Sequence, residues 1–269
     1  MTLSIIARDP ATDALGVATM SFLTGVGTRV AYVDPSVGIV VTQMLYHPVH
    51  APRAFAALLA DASASAAIDA ALADDPAPQV RQLAVMGTRG GPAAYTGASV
   101  VRYAEQFIGG DVVAVGAMLA SPGIPEAMVR TFQMSTRPFA WRFIDALDAA
   151  ERAGGDLRGA RSAALMVLDE SEVTGRRIDV RVDHDDAPLR ALTRALRGHD
   201  LNADIETAFA LVAGGQLSAA DRALARLAST DPDDPDRAFR HAITLALAGN
   251  LESARRELDR MKSNRARWR

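Results

Sequence analysis

The sequence predicts an α+β fold: two antiparallel sheets face to face with helices outside, a four-layer αββα sandwich, followed by a small all-α, repeat-like region. Three observations predict it. Short β-branched runs come as hairpins; pairs of helices separate the hairpin blocks, instead of the single helices of a βαβ alternation; and from Asn202 onward no strand-like run remains. We place the sandwich at residues 1–198 and the helical tail at 199–269.

Each element rests on local chemistry. Residues 3–8 and 14–21 form a first hairpin, because two apolar runs flank the turn residues Asp9-Pro10-Ala11-Thr12-Asp13. Residues 30–33 and 38–43 pair across Asp34-Pro35-Ser36. Helices follow at 51–59 and 64–72, rich in alanine and leucine at helical spacing, and Asp74-Asp75-Pro76 ends the pair. Strands resume at 82–86 and 93–96 around Arg89-Gly90-Gly91-Pro92, and again at 112–115. The next helices, 124–132 and 139–153, open near Pro125 and stop at Gly154-Gly155. Residues 162–168 and 177–182 close the domain as a last strand pair.

The tail repeats itself. Gly215-Gln216-Leu217-Ser218-Ala219-Ala220-Asp221-Arg222 matches Gly249-Asn250-Leu251-Glu252-Ser253-Ala254-Arg255-Arg256 at an offset of about 34 residues, the tetratricopeptide period. Ala220 and Ala254 are small enough to let paired helices pack closely, and Asp231-Pro232 sits where such a repeat turns. The alternative is an alanine-rich helical hairpin without repeat ancestry. Two units are fewer than the roughly three needed to stand alone, so the tail is expected to lean on the main domain, on a protein partner, or on a second copy in a homodimer.

Composition removes several function classes. The chain is 49% hydrophobic and 23% charged over 269 residues, which suits one large globular core and a small one. No apolar run reaches the ~18 residues of a membrane span, and Arg8 and Asp9 interrupt the start, so neither membrane insertion nor a secretory leader is expected. A cytoplasmic location follows as an expectation. A net charge of −3 supplies no attraction for nucleic acid or an anionic membrane. There is no cysteine, and Lys262 is the sole lysine, which excludes thiolate and disulfide chemistry and any Schiff base built by the first 260 residues.

The chemistry that remains centres on Thr2. Removal of the initiator methionine leaves an amine and a hydroxyl on one residue, a nucleophile that carries its own general base, as in an N-terminal-nucleophile (Ntn) hydrolase. If Ala7 pairs with Gly16, Thr2 lies opposite Ser21 with both side chains on one face. Ser21 is then a partner for the threonine, Ser4 a backup nucleophile that lacks the amine, and the loop from Phe22 to Arg29 a source of oxyanion-binding amides. The structural alternative is that Thr2 and Ser4 merely end an edge strand. Thr42 and Gln43 can face the same cleft or be satisfied core groups; Arg53, Asp156, Arg158 and Arg161 can bind a carboxylate substrate or pair with one another. His47-Pro48-Val49-His50 and Asp183-His184-Asp185-Asp186 carry no specific metal spacing, so neither metal nor cofactor is expected. A nucleophile elbow, a phosphate loop and a dinucleotide fingerprint are all missing.

Residues 1 to about 185 resemble the domain-of-unknown-function family 1028. The resemblance is carried by Met1-Thr2-Leu3-Ser4-Ile5-Ile6-Ala7-Arg8-Asp9-Pro10, Gly16-Val17-Ala18, Ser21 with Val26-Gly27, Thr42-Gln43 and Pro52-Arg53, and by Gly154-Gly155-Asp156-Leu157-Arg158-Gly159 leading to Arg161-Ser162-Ala163-Ala164-Leu165. It implies an Ntn-hydrolase-like sandwich and an appended C-terminal module; it supplies neither a reaction nor a substrate, and the expectation of a hydrolase acting on the amide C–N bond of a small molecule rests on Thr2. Two departures bear on activity. The chain reads Val115-Gly116-Ala117-Met118-Leu119 where the family tends to have asparagine before Met-Leu, and Tyr46-His47-Pro48 where Asn-Pro is usual. An asparagine amide donates to an oxyanion and alanine does not. The alternative function is a catalytically silent scaffold that binds a small molecule or a protein.

Overall fold

The computed structural model describes residues 2–100, 103–168, 176–228 and 234–264. Two antiparallel sheets organise the N-terminal part. The larger contains β1 (Thr2–Arg8), β2 (Leu15–Ser21), β7 (Glu105–Gly109), β8 (Val112–Gly116), β9 (Ser162–Leu168) and β10 (Arg176–Val182), in the order β10-β9-β2-β1-β8-β7. The smaller contains β3 (Ala31–Asp34), β4 (Gly38–Met44), β5 (Arg81–Gly87) and β6 (Ala93–Thr96), in that order.

Side-chain alternation along the strands supplies a face for each neighbour. Ile6, Val17, Val113, Val115 and Met166 from the large sheet join Ile39, Val41, Ala84 and Met86 from the small one in one buried cluster. Each isoleucine, valine and methionine side chain among them contributes about 1.5–3 kcal/mol on removal from water. The opposite face of the small sheet, with Val40, Leu83 and Val85, packs on α2 (His50–Leu59) and α3 (Ala64–Leu72). Helices α4 (Ile124–Met134) and α5 (Phe139–Arg152) lie against the large sheet. Gly16 shows why: a Cβ there would stand 2.6 Å from the Phe143 ring, so the glycine is the slot into which α5 seats its aromatic side chain. Phe132 and Phe139 close round Phe143 edge-on, at centroid distances of 4.8 and 5.1 Å.

Among the described residues of the first unit, β7, a helical turn at 26–29 and a 3-10 turn at Pro78–Val80 are additional to the elements read from the sequence. Strand β7 alternates half-buried and exposed positions at the edge of its sheet, and Glu105-Gln106 hides that pattern among polar residues. A single helical turn, α1 (Val26–Arg29), occupies the expected loop; Gly25, at φ 69°, starts it in a left-handed conformation.

The chain divides into two compact units, Met1–Ala195 and Leu196–Arg269, and the division falls inside α6 (Pro188–Ala213). The second unit continues with α7 (Leu217–Leu227), α8 (Pro235–Leu247) and α9 (Leu251–Asn264). The turns from α6 to α7 and from α8 to α9 are built alike. Gly215 N donates to Val212 O and Gln216 N to Leu211 O, while Gly249 N donates to Ala246 O and Asn250 N to Leu245 O. Both are Schellman closures with a left-handed glycine, and both lead into helices whose Ala220 and Ala254 are buried. The turn expected at Asp231-Pro232 lies outside the described residues.

Gly38 enters β4 at φ 142°, and a Cβ there would collide with the Met86 carbonyl of the paired strand. Because backbone cannot yield as a side chain does, Gly38→Ala is expected to destabilise the first unit by about 2–4 kcal/mol, read as a lowered midpoint in denaturant unfolding.

Candidate functional site

Between the sheets, the apolar cluster gives way at one end to polar side chains. In β1 and β2 the same alternation that buries Ile6 and Val17 turns Thr2, Ser4, Thr19 and Ser21 to the facing sheet. Thr2 pairs with Ser21 and Ser21 with Ser162, so three hydroxyl residues stand in a row across β1, β2 and β9. This is the register in which Ala7 meets Gly16. Thr2 Oγ1 donates to Ser21 Oγ at 3.2 Å, and Thr2 is 2% exposed.

Two glutamines of the small sheet complete the network. Gln43 Nε2 donates to Thr2 O at 2.9 Å and to Gln82 Oε1 at 2.6 Å, while Gln43 Oε1 accepts from Ser4 Oγ at 2.9 Å. Ser4 Oγ also lies 3.0 Å from Thr19 Oγ1, whose hydroxyl reaches Leu3 O. Gln82 Nε2 in turn reaches Gly116 O, Glu105 O and Thr96 Oγ1, each at 3.0 Å. Ser4 is thus bound into the frame that holds Thr2. Gln82 and Ser162, which the sequence reading passed over as ordinary strand residues, belong to the same constellation; their signal is a polar residue at an inward position of a buried strand.

Around this end the backbone is held tightly. Ala117 N donates to Thr2 O at 3.3 Å, Leu157 N to Met118 O, and Leu119 N to Tyr103 O. Asp156 joins the pieces: its Oδ2 accepts from Phe22 N and its Oδ1 from Arg158 N, at 3.2 and 2.8 Å. Met44, Tyr103 and Met118 have φ values of 69°, 52° and 52°, conformations that non-glycine residues adopt at a cost of about 1–3 kcal/mol each. Three such residues near one end of the sheets mark it as the place where packing overrides local preference.

The expected supply of oxyanion-binding amides from Phe22 to Arg29 needs correction. Phe22 N serves Asp156, Leu23 N serves Ser21 Oγ, Gly25 N serves Asp183 O, and Val26 N serves Ser162 Oγ. Helix α1 and its approach have committed these four donors internally. Among the described residues, no group of three or more histidine and acidic side chains is placed to hold a metal ion.

Thr42 does not face Thr2. It shares the helix-side face of β4 with Val40, and its Oγ1 lies 3.2 Å from His50 Nδ1. His50 Nε2 reaches Asp75 Oδ2 at 2.6 Å, and Arg81 binds both Asp75 oxygens through Nε and Nη2 at 2.8 and 3.0 Å. Arg81 also caps Leu45 O, just beyond the left-handed Met44. The chain Thr42–His50–Asp75–Arg81 is therefore a buried strut that locks α2 and the end of β4. Arg53 is apart from all this, paired at 3.4 Å with the exposed Asp74. The hydrogen bonds from Arg81 hold the Asp75 carboxyl well below the usual carboxylate range. Burial pushes the His50 imidazole below its usual value, against the opposing pull of Asp75.

Both shifts act in one direction with pH. A buried neutral His50 binds fewer protons than it does in the unfolded chain, so stability falls as pH drops from about 7 through 6.5; the Asp75 contribution is present above its usual value of 3.8 and is lost below it. In chemical denaturation between pH 7 and 5, His50→Gln is expected to flatten this dependence relative to the parent. Asp75→Ala leaves Arg81 buried without its carboxylate and is expected to cost about 3–5 kcal/mol at pH 7 in the same measurement.

Among the described residues, no helix is long and apolar enough to cross a membrane. No curated protein matches the chain. A crystal structure of a protein from Silicibacter pomeroyi, described with the family label DUF1028, is similar at 29% sequence identity and a TM-score of 0.68, covering 73% of this chain and 88% of that one. The model of a family of unknown function, DUF1028, matches residues 2–192, which hold both sheets and the Thr2 constellation, and the chain belongs to that family.

Proposed function

We propose that the protein is an N-terminal-threonine amidohydrolase of Ntn type, acting on the C–N bond of a small amide after loss of Met1. The observation that carries this reading is the Thr2 Oγ1–Ser21 Oγ hydrogen bond at the polar end of the inter-sheet space, with the Thr2 carbonyl pinned by Gln43 and Ala117. Two sheets sharing a core, with helices on their outer faces, support the four-layer αββα reading.

In this mechanism the Thr2 hydroxyl turns its proton from Ser21 Oγ to the free α-amine, which takes it as Oγ1 adds to the amide carbon. The tetrahedral intermediate then expels the amine, which leaves with that proton, and water cleaves the resulting ester to restore Thr2. Ser21 holds the hydroxyl in its attacking orientation. Gln43 and Ser4 fix the strand that carries it.

A second reading is favoured by Ala117. Its N donates to the Thr2 carbonyl, it is buried, and its methyl side chain has no donor to offer an oxyanion. A catalytically silent scaffold on the same fold follows, its tetratricopeptide-like tail docking a protein or a second copy.

Intact mass separates the two at the outset, since hydrolysis requires a chain lighter by one methionine. In the Met1-free protein, assayed against a panel of N-acyl p-nitroanilides, Thr2→Ser is expected to retain measurable turnover. Thr2→Ala is expected to lose it by about a thousandfold or more. Turnover in a chain that keeps Met1, or equal rates for parent and Thr2→Ala, would overturn the mechanism.

A further inference from the structure

We propose that Arg158 and Arg161, gathered round the Phe22 ring just past the end of β2 that carries Ser21, form a carboxylate clamp, so that the substrate is a small amide carrying a free carboxylate. This names the substrate class of the amidohydrolase reading and rests on it for the turnover, though not for the binding.

The placement is the first argument. Arg161 N donates to Ser21 O at 2.7 Å, and Ser21 Oγ is the partner of the Thr2 hydroxyl. Phe22 follows Ser21 directly, and its ring lies 4.6 Å from the Arg158 guanidinium carbon and 4.8 Å from that of Arg161. The clamp is therefore rooted one residue from the reacting pair.

Rigidity is the second. Arginine side chains in solvent lose rotamer freedom when they grip a ligand, which weakens binding. Here the Phe22 ring already gathers both guanidiniums, and the backbone beneath is tied down. Asp156 accepts from Phe22 N and Arg158 N, Gly159 N donates to Asp156 O, and Leu157 N reaches Met118 O. Three chain segments share that anchor, so the two cations stand on a preorganised frame.

Charge is the third. The two guanidiniums are no further apart than the sum of their distances to one ring, about a Debye length, so each feels the other. Among the described residues Asp156 is their one carboxylate partner, 3.5 Å from Arg158 Nε, and Arg161 forms no ion pair. Asp185, whose N donates to Arg161 O, turns its carboxylate to Ala187 N instead. One compensated and one uncompensated guanidinium leave a single positive charge. That matches a carboxylate in charge and in its planar, two-oxygen geometry, and falls short of a phosphate dianion.

The test uses the full, Met1-free chain and two probe pairs that differ in one group: succinanilic acid against butyranilide for binding, and succinyl against butyryl p-nitroanilide for turnover. Calorimetric titration is expected to show the succinyl probe bound at least about tenfold more tightly. Arg161→Gln should remove most of that preference, the double Arg158→Gln/Arg161→Gln variant all of it, and Arg53→Gln none. Thr2→Ala should keep the preference while losing hydrolysis. Thermal melts by circular dichroism check that each variant is folded. Equal affinity for the two anilides, no binding of either, or a preference that survives in the double variant overturns the clamp. Binding without hydrolysis leaves the clamp standing and removes the amidohydrolase; equal kcat/KM on both p-nitroanilides removes the clamp and keeps the enzyme.

Discussion

The arrangement depends on the register of β1, held between β2 and β8 inside the large sheet. Side chains along a strand alternate between faces, so a slip of one residue would send Thr2, Ser4 and Ile6 to the helix side and bring Leu3 and Ile5 into the polar end. The apolar part of the inter-sheet core prevents that slip. Ile6 and Val17 are fully buried against the small sheet, and a one-residue slip would turn them away from it. The core thus fixes where the hydroxyls go, although it contains none of them.

Burying seven polar residues between two sheets is destabilising unless nearly every group finds a partner. The network meets that condition by crossing from sheet to sheet. Gln43 and Gln82 have amides long enough to span the gap, and between them they engage Thr2, Ser4, Thr96, Glu105 and Gly116. Serine or asparagine in their place would be too short to reach. The same linkage makes the polar end stiff, which is what a nucleophile held in one orientation requires.

On the far face of the small sheet, His50, Asp75 and Arg81 do a different task. A buried ion pair is weak evidence for net stability, but it selects one arrangement of the chain, because any other leaves a charge without its partner. Here the pair sets the exit of β4, where Met44 takes a left-handed conformation and Arg81 caps Leu45 O. Gln43 sits immediately before that point. The strut on one face therefore steadies the hydrogen bonds on the other through the shared strand.

The alternating and helical patterns of the sequence determined the hairpins, the helix pairs, the register that places Thr2 opposite Ser21 and the repeated glycine turns at Gly215 and Gly249, because each is decided by residues close in the chain. Strand β7 escaped because an edge strand with Glu105-Gln106 carries little apolar signal. The amides of residues 22 to 26 were misassigned because the Asp156, Asp183 and Ser162 groups that take three of them lie over a hundred residues away. Thr42 and Gln43 are neighbours in sequence, yet one faces His50 and the other Thr2; local pattern shows that they point apart, and only the packed sheets decide which side is which. The same holds for Asp75, a helix stop by composition and a buried anchor in the fold. Contacts between distant segments, above all charges and amides that must find partners out of water, were settled by tertiary structure, since no local preference encodes which distant group will arrive.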